Sequence, residues 1–235
     1  MRSKHFNGKM LGIIVVLLLL FMAVGVAEEE RTDASGQWKY VLEDGGAKIT
    51  GYVEEPSGEL VLPGELDGYP VTGIGEYAFT GDEDLSSAAV LVDITSVIIP
   101  EGVVVIGEYA FDSCTELTSV TIPKSVTVIG DSAFSNCFSL ASITIPAGVV
   151  IIDDYAFAGC SRLQSIEIPL GVTGIGMSAF TGCSSLIELS IPASVKSIGD
   201  WAFDECPLLT LTVSNGSYAE QYAKENEIPY ALAKK

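Results

Sequence analysis

The chain has 235 residues, 48% of them hydrophobic and 18% charged, with 31 Asp+Glu against 12 Lys+Arg for a net charge of −19. That apolar share supports a packed core and excludes wholesale disorder, and the length allows one elongated domain or two compact ones. A surface this acidic repels phosphate, so nucleic acid is not a partner. The only histidine, His5, lies in a segment expected to be removed, which takes Ser-His-Asp, Cys-His and His-ligated zinc chemistry with it.

Arg2, Lys4 and Lys9 precede an uncharged run from Met10 to Val26, and the small residues Gly25 and Ala27 stand before Glu28-Glu29-Glu30. This order predicts a signal peptide over residues 1–27, cleaved after Ala27. An uncleaved anchor is the alternative, because the 17-residue run approaches the about 20 that cross a bilayer. Membrane contact is then expected only through this segment. Residues 28–37 read as an acidic linker.

A period of 23 organises the rest of the chain. Prolines stand at Pro100, Pro123, Pro146, Pro169 and Pro192, and phenylalanines at Phe111, Phe134, Phe157, Phe180 and Phe203, each preceded by alanine. Cysteines (Cys114, Cys137, Cys160, Cys183, Cys206) and leucines (Leu117, Leu140, Leu163, Leu186, Leu209) keep the same step. Several residue types sharing one period mark a repeat array. An earlier, degenerate unit holds Val71, Ile74, Gly75, Ala78, Phe79 and Leu85, with Asp82 where cysteine would stand. Phe79 to Phe111 spans 32 residues instead of 23, and the nine extra predict a loop near Ser86 to Thr95. In the last unit Leu211 and Val213 fall one residue out of phase, as a terminal repeat can.

Within Leu117-x-x-Val120-x-Ile122 the last two apolar residues alternate as in a half-buried strand, and Pro123 ends it. Stacked coil on coil, such strands form a parallel ladder; a lone unit cannot bury its apolar face, so stability is collective and the ends need caps. Gly107, Gly130, Gly176 and Gly199 are expected at a corner with positive φ, and Asp153 replaces glycine there as a residue that tolerates it. Past the last repeat, Ser217 and Glu220 form a capping box that predicts a helix at about 217–226. The architecture predicted is a β-rich solenoid, a right-handed stack of about six 23-residue repeats.

The unit I-P-x-x-V-x-x-I-G-x-x-A-F-x-x-C-x-x-L-x-x-[VIL]-x resembles the BspA-like class of leucine-rich repeats of bacterial surface and secreted proteins. The flanks are similar too: residues 38–62, with Trp38 to Leu42, Ala47 to Tyr52 and Leu60 to Leu62, resemble the β cap that opens such arrays. Asp67-Gly68-Tyr69-Pro70-Val71 is typical of a first unit, which places the solenoid at 63–213, and Gly216 to Asn226 resembles the helix that closes the stack within a cap at 214–235. The resemblance implies cell-surface attachment and carries no binding residue over.

Five cysteines in one phase should stack as a ladder whose Cβ spacing of about 4.8 Å exceeds the about 3.5–4.5 Å a disulfide wants. They read as buried thiols, with a bridge between rungs or a metal site as the alternative. Acidic clusters at Glu28 to Glu30, Glu54-Glu55 and Asp82-Glu83-Asp84 lack the calcium-loop pattern and read as solvated charge. Asp153-Asp154 has no partner acid for hydrolase chemistry. No catalytic, cofactor-binding or metal-ligating residue is assigned, and no enzyme is expected.

Outward strand positions read Ser119 and Thr121, Ser142 and Thr144, Ser165 and Glu167, then Glu188 and Ser190, a strip of hydroxyls turning acidic that is the candidate partner-binding face. Ser and Thr also simply suit exposed strands. A second column, Tyr77, Tyr109, Ser132, Tyr155, Ser178 and Trp201, reads either as recognition or as half-buried corner packing. The function expected is an exported, non-catalytic binding or adhesion module for a protein or glycan partner, secreted or at the cell surface. The alternative is a structural or assembly component of the envelope.

Overall fold

The computed structural model describes residues 29–80 and 93–234. The expected signal segment lies outside the described residues, as do Asp82 and Leu85 and the predicted loop up to residue 92. From Ile94 the chain is strand, so Ile94 and Thr95 belong to the ladder and not to that loop.

Two parallel ladders run the length of a solenoid. The first carries the predicted strands: β4 (Gly58–Val61), β7 (Ile94–Ile98) and β9 (Ser119–Thr121) form one sheet. In the same direction β11 (Ser142–Thr144), β13 (Ser165–Glu167), β15 (Glu188–Ile191), β17 (Thr210–Val213) and β18 (Tyr230–Leu232) form another. Leu60, Val97, Ile143, Ile166, Leu189 and Leu211 point into the core, and Val120 is half-buried. The phase slip of Leu211 is absorbed in register, since Glu188 pairs with Thr210, a step of 22.

Each proline then closes a tight turn, its carbonyl accepting from the valine three residues on: Val126 N to Pro123 O is 3.1 Å and Val172 N to Pro169 O is 3.0 Å. The buried valine leads into the second ladder, which the sequence pattern did not reveal: β8 (Val105–Ile106), β10 (Val128–Ile129), β12 (Ile151–Ile152), β14 (Gly174–Ile175) and β16 (Ser197–Ile198).

This ladder continues into the N-terminal cap. There β1 (Arg31–Thr32), inside the stretch read as linker, pairs with β2 (Trp38–Glu43), which forms a hairpin with β3 (Gly46–Tyr52). The hairpin turn, Asp44-Gly45, has φ of 51° and 83°, both positive as a type I′ turn requires. β3 pairs parallel with β6 (Tyr69–Ile74), and β6 with β8. A second Asp-Gly turn, Asp67-Gly68, joins β5 (Glu65–Leu66) to β6. The Asp67 carboxylate accepts from Tyr40 Oη (2.8 Å) and Ala34 N (2.9 Å), clamping cap to first coil.

The phenylalanines form one column. Ring centroids from Phe79 through Phe111, Phe134, Phe157 and Phe180 to Phe203 are separated by 5.0, 5.4, 5.7, 5.5 and 5.7 Å, with planes within 13° of parallel. Trp38 meets Phe79 edge-on and Tyr52 stacks near it at one end. At the other, Tyr222 of helix α1 (Tyr218–Glu225) meets Phe203 edge-on at 6.1 Å. Ser217 caps α1, accepting from Glu220 N, while Glu220 reaches back to Gly216 N instead of the cap residue's own N–H.

The glycine expectation is corrected. Gly107, Gly130, Gly176, Gly199 and Asp153 do not have positive φ. These glycines sit where successive coils touch: a Cβ on Gly107 would stand 2.7 Å from the Gly75 carbonyl carbon, and one on Gly130 3.0 Å from Glu108 N. Positive φ falls two residues later, at Tyr77 (56°), Tyr109 (53°), Ser132 (54°), Tyr155 (53°), Ser178 (52°) and Trp201 (57°), and again just before the cysteine at Ser113, Asn136, Gly159, Gly182 and Glu205.

This backbone turns alternate N–H groups toward the next coil. Tyr109 N donates to Asp131 O, Phe111 N to Ala133 O and Ser113 N to Ser135 O, at 2.8 to 2.9 Å, so the corner is hydrogen-bonded without being a strand. We expect Gly199→Ala, whose methyl would press on Met177 backbone, to cost about 3 kcal/mol in urea unfolding. Ser132→Gly, at a genuine left-handed position, should cost about 1 kcal/mol or less.

Candidate functional site

The alternation of each first-ladder strand decides which side chains face out. Ser119, Thr121, Ser142, Thr144, Ser165, Glu167, Glu188 and Ser190 are all exposed. Register lines them into two columns: Ser142, Ser165, Glu188 and Thr210 in one, Thr144 beside Glu167 and Ser190 beside Thr212 in the other. Ser119 and Thr121 belong to the neighbouring sheet, where they stack on Ser96 and Ile98, so hydrogen-bonded pairing is interrupted between Thr121 and Ser142. Glu188 Oε1 accepts from Thr212 Oγ1 at 3.1 Å, which fixes one carboxylate at the acidic end.

Two members of this face escaped the sequence reading. Val61 and Ile98 are exposed and adjacent in register, giving the face an apolar N-terminal end. The signal was there in Leu60-Val61-Leu62 and Val97-Ile98-Ile99, where the middle residue of an alternating pair must face out.

The aromatic column divides. Tyr77, Tyr155 and Trp201 are exposed, Tyr109 is half-buried against Tyr77 at 4.8 Å, and Ser132 and Ser178 are buried. Asp153 and Asp154 serve the backbone: Asp153 Oδ1 accepts from Asp154 N, and Asp154 Oδ1 from Met177 N at 2.6 Å. Glu54 and Glu55 line a cleft of about 460 Å³ with Ser35, Gly36 and Gln37 at the N-terminal end, while Glu28 and Asp82 to Asp84 lie outside the described residues. Among the described residues no three His, Cys, Asp or Glu side chains converge as metal ligands.

Residues 72–210 match the BspA type leucine rich repeat region, in six copies. The chain belongs to this family. BspA-type leucine-rich repeat proteins are bacterial surface proteins, typically binding modules. Among solved structures the chain is similar to a T. pallidum leucine-rich repeat protein, 26% identical over 86% of this chain and 98% of that one, with a TM-score of 0.68. A leucine-rich repeat protein from Bacteroides capillosus is 28% identical over 58% of this chain and 97% of that one, with a TM-score of 0.46. A leucine rich cell surface protein from Faecalibacterium prausnitzii is 19% identical over 89% of this chain and 96% of that one, with a TM-score of 0.32. No curated protein matches the chain.

In this BspA-type array the cysteine phase has a role beyond filling space. Cys114, Cys137, Cys160 and Cys183 are buried and Cys206 half-buried, all as free thiols. Each Sγ donates to the phenylalanine carbonyl of the preceding coil, Cys137 to Phe111 O at 3.3 Å, Cys160 to Phe134 O at 3.2 Å and Cys206 to Phe180 O at 3.1 Å. Burial pushes the Cys114 and Cys160 thiols up to about 12 and Cys206 to about 11, and drives Cys137 and Cys183 up as well. Buried and bonded to the backbone of the preceding coil, these thiols serve packing and inter-coil hydrogen bonding.

Proposed function

We propose that this chain is an exported, non-catalytic binding module that presents the outward face of its first ladder to a protein or glycan partner at the cell surface. One observation carries the reading: eight side chains exposed coil after coil, six of them from Ser142 to Ser190 on one hydrogen-bonded ladder, hydroxyls grading into carboxylates at Glu167 and Glu188. Hydroxyls and carboxylates at fixed intervals offer acceptors and donors to sugar hydroxyls or peptide amides, while the rigid coil leaves little to order on binding. Membership of a surface-protein family supports the cellular setting.

The purified chain is expected to give a saturable signal on immobilised extracellular matrix proteins or glycans. Ser165→Ala combined with Glu167→Gln and Glu188→Gln should weaken it about tenfold or more. Binding unaffected by that triple variant would remove this face from the function. No binding to any panel member, with concentration-dependent self-association, would favour an assembly role in the envelope; β18, whose outer edge pairs with no further strand among the described residues, is where copies would add.

A further inference from the structure

The second ladder carries a surface of different chemistry. Val105, Val128 and Ile151 stack in register on β8, β10 and β12, with their side chains pointing away from the core. Val104 and Val150 flank them on either side of Thr127, and the five apolar side chains are 36% to 51% exposed, which makes an apolar patch across three successive coils. Lys48, paired with Glu43, lies over Gly73 on one side; on the other the patch gives way to Thr173 and Gly174, and exposed Lys196, bonded to Ala193 O, stands one coil further.

Three residues past five of the ladder's six outward positions stands an acid: Glu76 after Gly73, Glu108 after Val105, Asp131 after Val128, Asp154 after Ile151 and Asp200 after Ser197, with Met177 after Gly174 the exception. The row follows the same edge of the patch coil after coil. Stacked carboxylates repel one another, and the only ion pairs among the described residues, Lys48–Glu43 and Lys224–Glu220, do not include them. Beyond the acids the rings of Tyr77 and Tyr109 lie parallel at 4.8 Å, and Tyr155 is exposed one coil past buried Ser132. Valines, then carboxylates, then phenol rings therefore succeed one another around the coil.

We infer that this face docks a basic amphipathic segment of a partner protein, its apolar side on Val105, Val128 and Ile151 and its lysines or arginines along Glu108, Asp131 and Asp154. Apolar contact supplies the affinity, the carboxylate row supplies register and steering, and the tyrosine faces accept cations at the outer edge. Charge selects among occupants. A second copy carries the same net charge of −19, and anionic lipid and nucleic acid are repelled for the same reason. The face lies on the other ladder from the hydroxyl strip, so the two readings succeed or fail separately.

The test titrates the purified full chain with a synthetic amphipathic leucine/lysine peptide. A lysine/glycine peptide of equal charge and a leucine/glutamate peptide are the controls. Binding is expected for the leucine/lysine peptide alone. Val128→Thr with Ile151→Thr should weaken it about tenfold. Glu108→Gln with Asp131→Asn should do the same and flatten its salt dependence; the amide oxygen introduced by Asp131→Asn still accepts from Ser132 Oγ, which donates to Asp131 at 2.7 Å in the parent chain. Glu167→Gln with Glu188→Gln, on the other ladder, should leave the affinity for this peptide unchanged. Val105→Thr with Val150→Thr is an independent apolar pair, and circular dichroism with thermal melts verifies that every variant is folded. Equal binding of the lysine/glycine peptide, unchanged affinity in both apolar pairs, or binding of the chain to phosphatidylcholine vesicles in place of the peptide would overturn the assignment.

Discussion

Phe157→Ala should destabilise the chain by about 3–5 kcal/mol, the range for truncating a fully buried aromatic. Phe157 has no exposed surface and stacks on both sides, at 5.7 Å on Phe134 and 5.5 Å on Phe180. Neither neighbour can close the gap, because Phe134 N is bonded to Ala156 O and Phe157 N to Ala179 O, so the coils are held apart at fixed spacing. In a linear array the loss falls on the coupling between neighbours, and the two halves begin to unfold separately. Urea unfolding should therefore show a lower midpoint and a smaller apparent m-value than the parent chain. Phe203→Ala should cost less: Phe203, though buried, ends the stacked column, and its outer neighbour is the edge of Tyr222 on the terminal helix instead of another stacked ring. Equal losses at the two positions, or a mid-array loss near 1 kcal/mol, would mean that the column does not carry the coupling.

The parts of the fold legible in the sequence are those where one residue type has one physical use. Phenylalanine, cysteine and leucine at a step of 23 read as buried columns, and all but half-buried Cys206 are. The exposure of Ser142 and Thr144 around buried Ile143 was equally legible, because alternation along a strand leaves no choice of face. Glycine has two uses, left-handed backbone and close approach, and the pattern does not separate them. Gly130 proved to be the second kind, and the left-handed residue is buried Ser132. Tyr109 and Trp201 in that same conformation run against local preference, and an inter-coil hydrogen bond from Tyr109 N to Asp131 O holds the first of them there. The second ladder was obscured for another reason. Strands of two residues such as Val128–Ile129 are too short to display a period, and their outward valine looks like core. The patch at Val105, Val128 and Ile151 thus emerged only once register was known.

The thiol column predicts how the chain behaves in alkali. Buried in apolar surroundings, Cys114 and Cys160 hold their protons up to about 12, and Cys137 and Cys183 are driven in the same direction. In the unfolded chain a thiol ionises at about 8.5. The folded value is the raised one, so the stabilisation is fully present below about pH 8.5 and drains away as pH climbs toward the folded values. Each thiol that ionises only on unfolding adds a slope of about 1.4 kcal/mol per pH unit, and the four buried ones together about 5. Cys206, half-buried, adds a smaller share. Tyr52 and Tyr222, whose hydroxyls burial also raises, act in the same sense only above about pH 10. Urea midpoints are therefore expected to be flat near neutrality and to collapse between about pH 9 and pH 10.5. Cys137→Ala with Cys160→Ala should halve the alkaline slope while costing about 1 kcal/mol each at neutral pH. Alkylation of the native chain should reach Cys206 first, with all five groups reactive only in denaturant. A midpoint that held steady to about pH 10.5 would mean that the thiols ionise within the folded coil, and the hydrogen bonds from cysteine to phenylalanine carbonyl could not then be what joins one coil to the next.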